Sequence, residues 1–304
     1  MKANLVCKGG GVKGIALVGA ISYLENNGYE WDKLAGSSVG AIVSSLLAVG
    51  YTSNEIKDLL YNIDYTCFRD KNKLHSIPII GEFLSISIHK GLHSGNYIEN
   101  FLEEKFKAKG KTKFKDISIN GESKLKIIAV DVTRKKLLVL PDDLIEYNID
   151  PMEFDISKAV RMSLSIPLYY YPVKLKYNKK SYFIVDGGLL SNFPLWVIDD
   201  TCTTKYPTFG LNLIDDPKED THKFTNTISY LLDIAQTSLL TNEDVYFKEK
   251  DFVRIINIPT FDINATNFDI TNKEMEHLYI SGYKSAQLFL NNWNFERYIS
   301  KYGL

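Results

Sequence analysis

The chain has 304 residues, of which 45% are hydrophobic and 24% are charged, so it can bury a large apolar core. Its formal net charge of -1 provides no extended positive field, which argues against a nucleic-acid partner. Cys7, Cys67 and Cys202 have no metal-ligand spacing and are too few for a disulfide framework, as is typical of reduced thiols in a cytosolic protein.

Hydrophobicity predicts neither a membrane span nor a secretory signal. The apolar run near the amino terminus is interrupted by Lys8 and three glycines. The longest uncharged apolar stretches, residues 15–24 and 39–51, are shorter than the roughly 18 residues needed to cross a bilayer. We therefore expect a cytoplasmic protein whose contact with membranes is peripheral.

The first fifty residues alternate between strand and helix patterns, with glycine turns between them. An apolar run ends at GGGVKG and an apolar helix follows, after which a second strand leads through GSSVG into a second helix. In order, these elements cover residues 4–7, 12–27, 29–35 and 39–49. Such alternation predicts an α/β fold with a largely parallel central sheet.

Later elements are predicted from capping signals and apolar periodicity. Thr52 and Glu55 form a capping box for a helix that ends near residue 62. Residues 74–89 carry a proline and a glycine, so we expect a loop or flap there. Further helices are expected within 156–171 and over 96–107, 226–240 and 273–293, and strands within 124–140 (two) and over 180–185 and 209–214.

We expect a single domain over residues 1–304. Its motif-bearing core covers residues 4–200, and a C-terminal helical extension begins near residue 218. The charged stretch 217–224 is the expected flexible connection between them.

The loop Gly9–Gly14 fits two kinds of anion site. Its sequence, GGGVKG, has the G-x-G-x-x-G spacing that holds a dinucleotide pyrophosphate at a helix N-terminus. The same backbone donors suit the oxyanion of an ester hydrolysis. A dinucleotide site also needs an acid at the carboxyl end of the second strand, whereas Glu30 and Asp32 lie at its start. A Walker-type phosphate loop is excluded, because no G-K-[ST] sequence follows. A dinucleotide-binding (Rossmann) protein is therefore the remote alternative.

GSSVG matches the nucleophile-elbow pattern G-x-S-x-G, with Ser38 at its centre. Gly36 and Gly40 allow a sharp turn from strand to helix, which exposes the serine hydroxyl and aims the helix N-terminus at it. In the usual α/β-hydrolase several strands precede the nucleophile, and a late histidine completes a triad. Here one strand–helix unit precedes Ser38, and none of the five histidines lies in a glycine turn after a clear strand.

Asp186 is the best candidate for the base that takes the serine proton. It ends an apolar strand and precedes Gly187 and Gly188, so we expect its carboxylate at the same carboxyl edge of the sheet as Ser38. Asp-Gly-Gly alone is more typical of an ordinary turn, and only its combination with GSSVG and the glycine triplet favours a catalytic base. A serine hydroxyl needs a positioned base, and burial would raise the pKa of an aspartate from about 3.9 towards a useful range.

GGGVKG, GSSVG and DGG, in this order, resemble the three signature blocks of patatin-like phospholipases. The similarity extends to GLHSGNYIENFLEEKF, LKIIAVDVT, AVRMSLSIPLYYYPV and DGGLLSNFPLWV, and covers residues 4–200 well and the C-terminal hundred loosely. Lys13 stands where many members carry arginine, which keeps the positive charge without the planar guanidinium. The resemblance implies a three-layer α/β/α fold with a largely parallel sheet and C-terminal helices.

The resemblance also implies a serine lipid acyl hydrolase of phospholipase A or lysophospholipase type, independent of calcium and of any cofactor or metal. Ser38 is the implied nucleophile and Asp186 the implied base. The implied oxyanion-hole residues are Gly9, Gly10, Gly11 and Val12, and the positions that support the motifs are Lys13, Gly14, Gly36, Gly40, Gly187 and Gly188.

The implied substrate is a phospholipid or lysophospholipid of the membrane, and some family members need an activating partner. Ile166, Pro167 and Tyr169 are candidates for lining the acyl site, since aromatic rings give an apolar wall with polar tips. The alternative is a catalytically silent lipid-binding or scaffold protein of the same fold.

Overall fold

The computed structural model describes residues 1–70, 80–199, 206–215, 226–239, 249–261 and 263–302. The expected flexible connection at 217–224, the first part of the expected flap (74–79) and Cys202 lie outside these ranges. No helix within them is long and apolar enough to cross a membrane.

Regular elements follow one another closely along the described chain. The strands are β1 (Lys2–Cys7), β2 (Glu30–Ser37), β3 (Gly91–His93), β4 (Ser118–Ile119), β5 (Glu122–Ser123), β6 (Leu125–Asp131), β7 (Lys136–Leu140), β8 (Leu168–Tyr170), β9 (Val173–Tyr177), β10 (Lys180–Asp186), β11 (Thr208–Ile214) and β12 (Ile255–Pro259). The helices are α1 (Gly14–Asn26), α2 (Val39–Val49), α3 (Ser53–Asn62), α4 (Ile80–His89), α5 (Asn96–Ala108), α6 (Ile156–Ser163), α7 (Trp196–Asp199), α8 (Thr227–Leu239), α9 (Asn272–Asn292) and α10 (Phe295–Tyr302). Short 3-10 helices include Gly11–Lys13 and Gly187–Leu189.

One central sheet organises the molecule. Its strand order is β12-β11-β1-β2-β6-β10-β9, and β7 also pairs with β6. The five strands from β12 to β6 are parallel, whereas β10 and β7 run antiparallel to β6, and β9 runs antiparallel to β10. The expected α/β fold with a largely parallel sheet is confirmed.

Side chains of the parallel strands alternate between two apolar cores. On one face, Leu5, Leu34 and Ile127 pack into the large core that helices α1, α2 and α6 share. On the other face, Val6, Ala35 and Ile128 pack against residues 193–198, which include the start of α7. Strands that are apolar on both faces are what a parallel sheet covered on both sides requires.

The C-terminal region joins the sheet through a helix crossing and an added strand. Gly282 of α9 approaches α1 so closely that a Cβ atom there would lie 1.8 Å from the Ala16 carbonyl oxygen. Strand β12, which the sequence analysis did not predict, extends the sheet beside β11. Its three isoleucines favour a strand, but the segment is short and ends in a proline, and the pairing with β11 decides this element.

Helix α4 corrects the expected flap, because residues 80–89 are helical and not irregular. Pro78 comes before this helix in the sequence, and Gly81 lies in its first turn, where neither interrupts the helical hydrogen bonds. Ser85 is fully buried and donates its hydroxyl to the Gly91 carbonyl oxygen over 2.8 Å, which anchors α4 to β3.

Candidate active site

A tight turn between β2 and α2 presents Ser38. The serine has φ +52°, a left-handed conformation that non-glycine residues adopt only under constraint. A Cβ atom on Gly36 would lie 2.4 Å from the Gly40 carbonyl, and one on Gly40 would lie 2.2 Å from the Cys7 carbonyl oxygen. Glycine is therefore required at both positions, because the turn packs against itself and against the end of β1.

Ser38 and Asp186 lie together, as their positions in the motifs led us to expect. The Ser38 hydroxyl donates to Asp186 Oδ2 over 2.9 Å, and the Gly188 N–H donates to Asp186 Oδ1 over 2.8 Å. Asp186 is fully buried and Ser38 is 7% exposed. The pair therefore has the geometry of a nucleophile with a base in direct contact.

The route by which these two side chains meet differs from the expected one. Strand β10 runs antiparallel to β6, so its carboxyl end does not point to the edge at which β2 ends. Asp186 is nevertheless level with the elbow, because it pairs with Ala129 while Ser37 pairs with the neighbouring Ile128. The contact arises because β10 stops beside the elbow. Asp186 thus lies at the edge where Ser38 emerges, as expected, but it reaches that edge on an antiparallel strand.

Burial changes the acidity of Asp186. Removal from water raises the pKa of its carboxyl group from 3.8 to about 7, against the opposing effect of the hydrogen bonds from Gly188 and Ser38. A carboxylate of this pKa can accept a proton near neutral pH and return it later.

The glycine loop lies beside Ser38 but offers fewer free donors than its sequence implies. The Gly9 N–H donates to the Asn192 carbonyl oxygen over 3.0 Å, and the Val12 N–H donates to the Ala265 carbonyl oxygen over 2.9 Å. In the described part of the chain, no acceptor takes the N–H of Gly10 or Gly11. The loop therefore leaves two backbone donors for an anion, where the sequence suggested four residues.

Two further residues support the site and were not predicted. Ser163 Oγ, at the end of α6, accepts the Ser38 N–H over 2.9 Å and so holds the strained elbow. Asn192 lies against the glycine loop, since its side-chain oxygen would be 2.1 Å from a Cβ atom on Gly9. Both residues lie in segments that carry the family resemblance, MSLSIP and SNFP. The sequence therefore marked these segments but did not indicate what the two side chains do.

Lys13 lies behind the loop and away from the reacting atoms. Its side chain is almost fully buried and forms an ion pair with Asp215 at the end of β11. This pair ties the start of α1 to the neighbouring strand, which a lysine can do without the guanidinium of an arginine.

An apolar pocket opens at Ser38 and runs between helices α2, α3 and α5. Ile166 lines it, as expected, whereas Pro167 and Tyr169 do not, and Tyr170 does instead. The lining consists of Gly11, Val12, Gly14, Ser38, Val39, Ile42, Leu46, Leu59, Leu60, Ile63, Tyr65, Phe68, Ile98, Phe101, Leu102, Leu164, Ile166, Tyr170, Ala265 and Phe268. None of these residues is charged, so the pocket suits a hydrocarbon chain and no phosphate.

The geometry gives no support to a dinucleotide or a metal site. Glu30 and Asp32 lie at the amino end of β2, opposite the edge at which the glycine loop follows β1. Across the residues that the structure describes, no three His, Cys, Asp or Glu side chains come together as metal ligands.

The serine lies at a turn from strand to helix in an α/β sheet and is hydrogen-bonded to a buried carboxylate. This is the architecture of a serine hydrolase. The family is more specific, since residues 5–199 match the family of patatin-like phospholipases. The chain belongs to this family, and the resemblance found in its sequence is confirmed.

Two relatives illustrate the range of this similarity. The uncharacterized protein YqhO of Bacillus subtilis is 35% identical over 292 residues, which cover 95% of this chain and 98% of YqhO. The probable lipid hydrolase 463L of invertebrate iridescent virus 6 is 27% identical over 242 residues, which cover 73% of this chain and 75% of 463L.

Two solved bacterial structures share the fold. VipD from Legionella pneumophila has a TM-score of 0.56 and 19% identity, and the match covers 95% of this chain and 66% of the VipD chain. ExoU of Pseudomonas aeruginosa, in its complex with SpcU, has a TM-score of 0.54 and 18% identity, over 97% of this chain and 51% of that chain. The chain thus spans between half and two thirds of these proteins, and the likeness concerns the fold alone.

Replacing Asp186 with asparagine should stabilise the protein increasingly as the pH rises. The folded-state pKa of about 7 exceeds the unfolded value of 3.8, so the folded wild type loses stability between these two pH values. One pKa unit corresponds to about 1.4 kcal/mol, so Asp186→Asn should gain up to about 4 kcal/mol at pH 8 and far less near pH 4. Urea unfolding of both proteins at both pH values measures this. A gain that does not grow with pH would show that burial does not penalise the charged carboxylate.

Proposed function

We propose that this protein is a serine lipid acyl hydrolase of phospholipase A or lysophospholipase type, with Ser38 as nucleophile and Asp186 as base. One observation carries the proposal: the Ser38 hydroxyl donates to the Asp186 carboxylate over 2.9 Å, and Ser38 lines an uncharged apolar pocket. Membership of the patatin-like phospholipases supports a lipid ester as the substrate, and a relative named as a probable lipid hydrolase agrees with it.

In the acylation step, Asp186 takes the proton of Ser38 as the serine oxygen bonds to the ester carbonyl carbon. Negative charge then develops on the carbonyl oxygen, and the N–H groups of Gly10 and Gly11 are the proposed donors to it. The protonated Asp186 gives its proton to the leaving alcohol oxygen. Asp186 next takes a proton from a water molecule, which attacks the ester carbon on Ser38. Asp186 returns that proton to the Ser38 oxygen as the fatty acid leaves, which restores both side chains.

The pocket is the proposed site of the acyl chain, and the lipid headgroup stays outside it. Each methylene of an acyl chain that enters the uncharged pocket stabilises binding, because it leaves water for an apolar lining. A phosphate would find no charged partner there. The mechanism uses two side chains and backbone donors, so hydrolysis is proposed to be independent of calcium.

Loss of Ser38 should abolish the activity. Ser38→Ala is expected to remove both labelling by a fluorophosphonate probe and hydrolysis of a mixed phospholipid and lysophospholipid panel. Ser37→Ala is the matched control, because the Ser37 hydroxyl is fully buried and has no hydrogen-bond partner in the described structure, so its loss costs little.

Millimolar chelator should leave the wild-type rate unchanged. Hydrolysis that survives in Ser38→Ala, or that requires calcium, would contradict the proposal. Wild-type protein that binds fatty acid but is neither labelled nor active would instead be a silent lipid-binding protein.

Gly11→Ala tests the proposed oxyanion hole. Gly11 has φ +59°, and a Cβ atom there would lie 1.9 Å from the Ala265 carbonyl oxygen, so an alanine must displace the loop. One oxyanion donor is worth about 2.7–4 kcal/mol, so kcat should fall by about 100- to 1,000-fold.

Gly28→Ala is the control for Gly11→Ala. Gly28 also has a positive φ, +83°, but a Cβ atom there would meet nothing within 4 Å. This variant carries the backbone strain without moving the loop, so its kcat should stay within about twofold of wild type. An equal fall in kcat in the two variants would show that the glycine loop does not stabilise the oxyanion.

An exposed apolar surface next to the site is the proposed contact with the lipid bilayer. Leu190, Tyr230, Leu231 and Ile234 are between 39% and 51% exposed. Leu190 follows the 3-10 helix Gly187–Leu189, and α8, which carries the other three, packs against that helix. Solvent-exposed apolar side chains close to a lipid site favour binding to a lipid surface.

Ile234→Glu should weaken binding to phosphatidylcholine vesicles about tenfold or more, since an inserted isoleucine is worth about 1.5–3 kcal/mol. Leu288→Glu is the matched control, because Leu288 is 65% exposed on α9. Co-sedimentation with the vesicles measures both variants. Equal weakening by the two substitutions would contradict a specific membrane face.

A further inference from the structure

Helix α2 gives a measure of how deep the pocket is. Its residues Val39, Ile42 and Leu46 line the pocket and recur every three or four residues on one face, and Ser38, which also lines it, directly precedes the helix. At a rise of about 1.5 Å per residue, Leu46 lies roughly 12 Å beyond Ser38 along the helix. Val49, the next residue on this face, is buried but does not line the pocket, so the pocket ends at Leu46.

Helix α5 also lines the pocket and stops lining it in the same way. Ile98, Phe101 and Leu102 line it, whereas Phe106, one turn after Leu102, is fully buried in the core and does not. Neither helix therefore lines the pocket beyond Leu46 or Leu102.

Polar contacts link the carboxyl end of α5 to the chain that follows α2. The Tyr51 hydroxyl, just after α2, donates to the Lys105 carbonyl oxygen over 2.8 Å. The Lys109 ammonium, just after α5, donates to Glu55 in the first turn of α3 over 2.7 Å. These contacts fasten the end of α5 to the connection between α2 and α3, beyond Leu46 and Leu102 in both helices.

We propose that Leu46 and Leu102 form the end wall that sets the length of the acyl chain the enzyme prefers. The inference rests on the proposed function, since the chain starts at the carbonyl carbon that Ser38 attacks. A carbon–carbon bond of about 1.5 Å advances an extended chain by roughly 1.25 Å, so about ten carbons fill the roughly 12 Å from Ser38 to Leu46. Longer chains have to bend inside the pocket or leave carbons in water, and their rates fall.

The test is a series of p-nitrophenyl esters from butyrate to palmitate, with kcat/KM measured for each. The wild type should be fastest on octanoate or decanoate. Leu46→Ala opens the wall and should move the optimum to laurate or longer, raising the palmitate-to-decanoate ratio about tenfold. Leu46→Phe fills the end of the pocket, and should move the optimum to shorter esters.

Leu47→Ala is the matched control for Leu46→Ala. Leu47 is the next residue of α2 and also buried, but it does not line the pocket. It loses the same atoms from the core, so it should keep the wild-type optimum even if its stability falls. Leu46→Phe covers the case in which Leu46→Ala does not fold, because it removes no volume.

Two failures can be told apart. An unchanged optimum in the Leu46 variants, or the same shift in Leu47→Ala, overturns the end wall while leaving the hydrolase in place. A wild type that hydrolyses no ester and takes no fluorophosphonate label overturns the proposed function itself.

Discussion

The buried hydrogen bond between Ser38 and Asp186 is the contact on which the arrangement of this site depends. A carboxylate without exposed surface is costly, and its burial raises the pKa to about 7. The Ser38 hydroxyl and the Gly188 N–H offset part of that cost by donating one hydrogen bond to each carboxylate oxygen. The result is a carboxyl group whose pKa lies near neutral pH, which suits the general base of the proposed mechanism. The same desolvation therefore lowers stability and makes the proposed chemistry possible.

One short segment at the end of α6 holds both members of this pair. Ser163 Oγ accepts the N–H of Ser38, and the Ser165 carbonyl oxygen accepts the N–H of Asp186 over 2.9 Å. Arg161 in turn donates to the Ser165 hydroxyl, and its guanidinium is buried with it. Because the backbone N–H groups of Ser38 and Asp186 are hydrogen-bonded to residues only two apart, local geometry sets the distance between Ser38 and Asp186. The hydrogen bond from Ser163 also explains how Ser38 keeps its strained φ.

Local patterns predicted the parts of this site that local backbone geometry decides. GSSVG predicted the elbow, because close approach of the chain to itself requires Gly36 and Gly40. Asp186 was identified as well, although the sheet brings it to Ser38 by an antiparallel strand that no strand pattern distinguishes from a parallel one. The roles of Ser163 and Asn192, and the loss of two donors from the glycine loop, depend on partners far away in sequence. Strand β12 and helix α4 were missed for a related reason, since pairing and packing decide them more than composition does.

The motif-bearing core cannot hold its glycine loop alone. The Val12 N–H is taken by Ala265, and Lys13 is paired with Asp215, both beyond residue 199, where the family match ends. Helix α1, which begins at this loop, packs against α9 at Gly282. If the Ala265 carbonyl moved away, the Val12 N–H would be released and Gly11 would lose the contact that now limits its position. The free donors of Gly10 and Gly11 are thus fixed from outside the motif-bearing core, which makes the C-terminal hundred residues part of the site's construction.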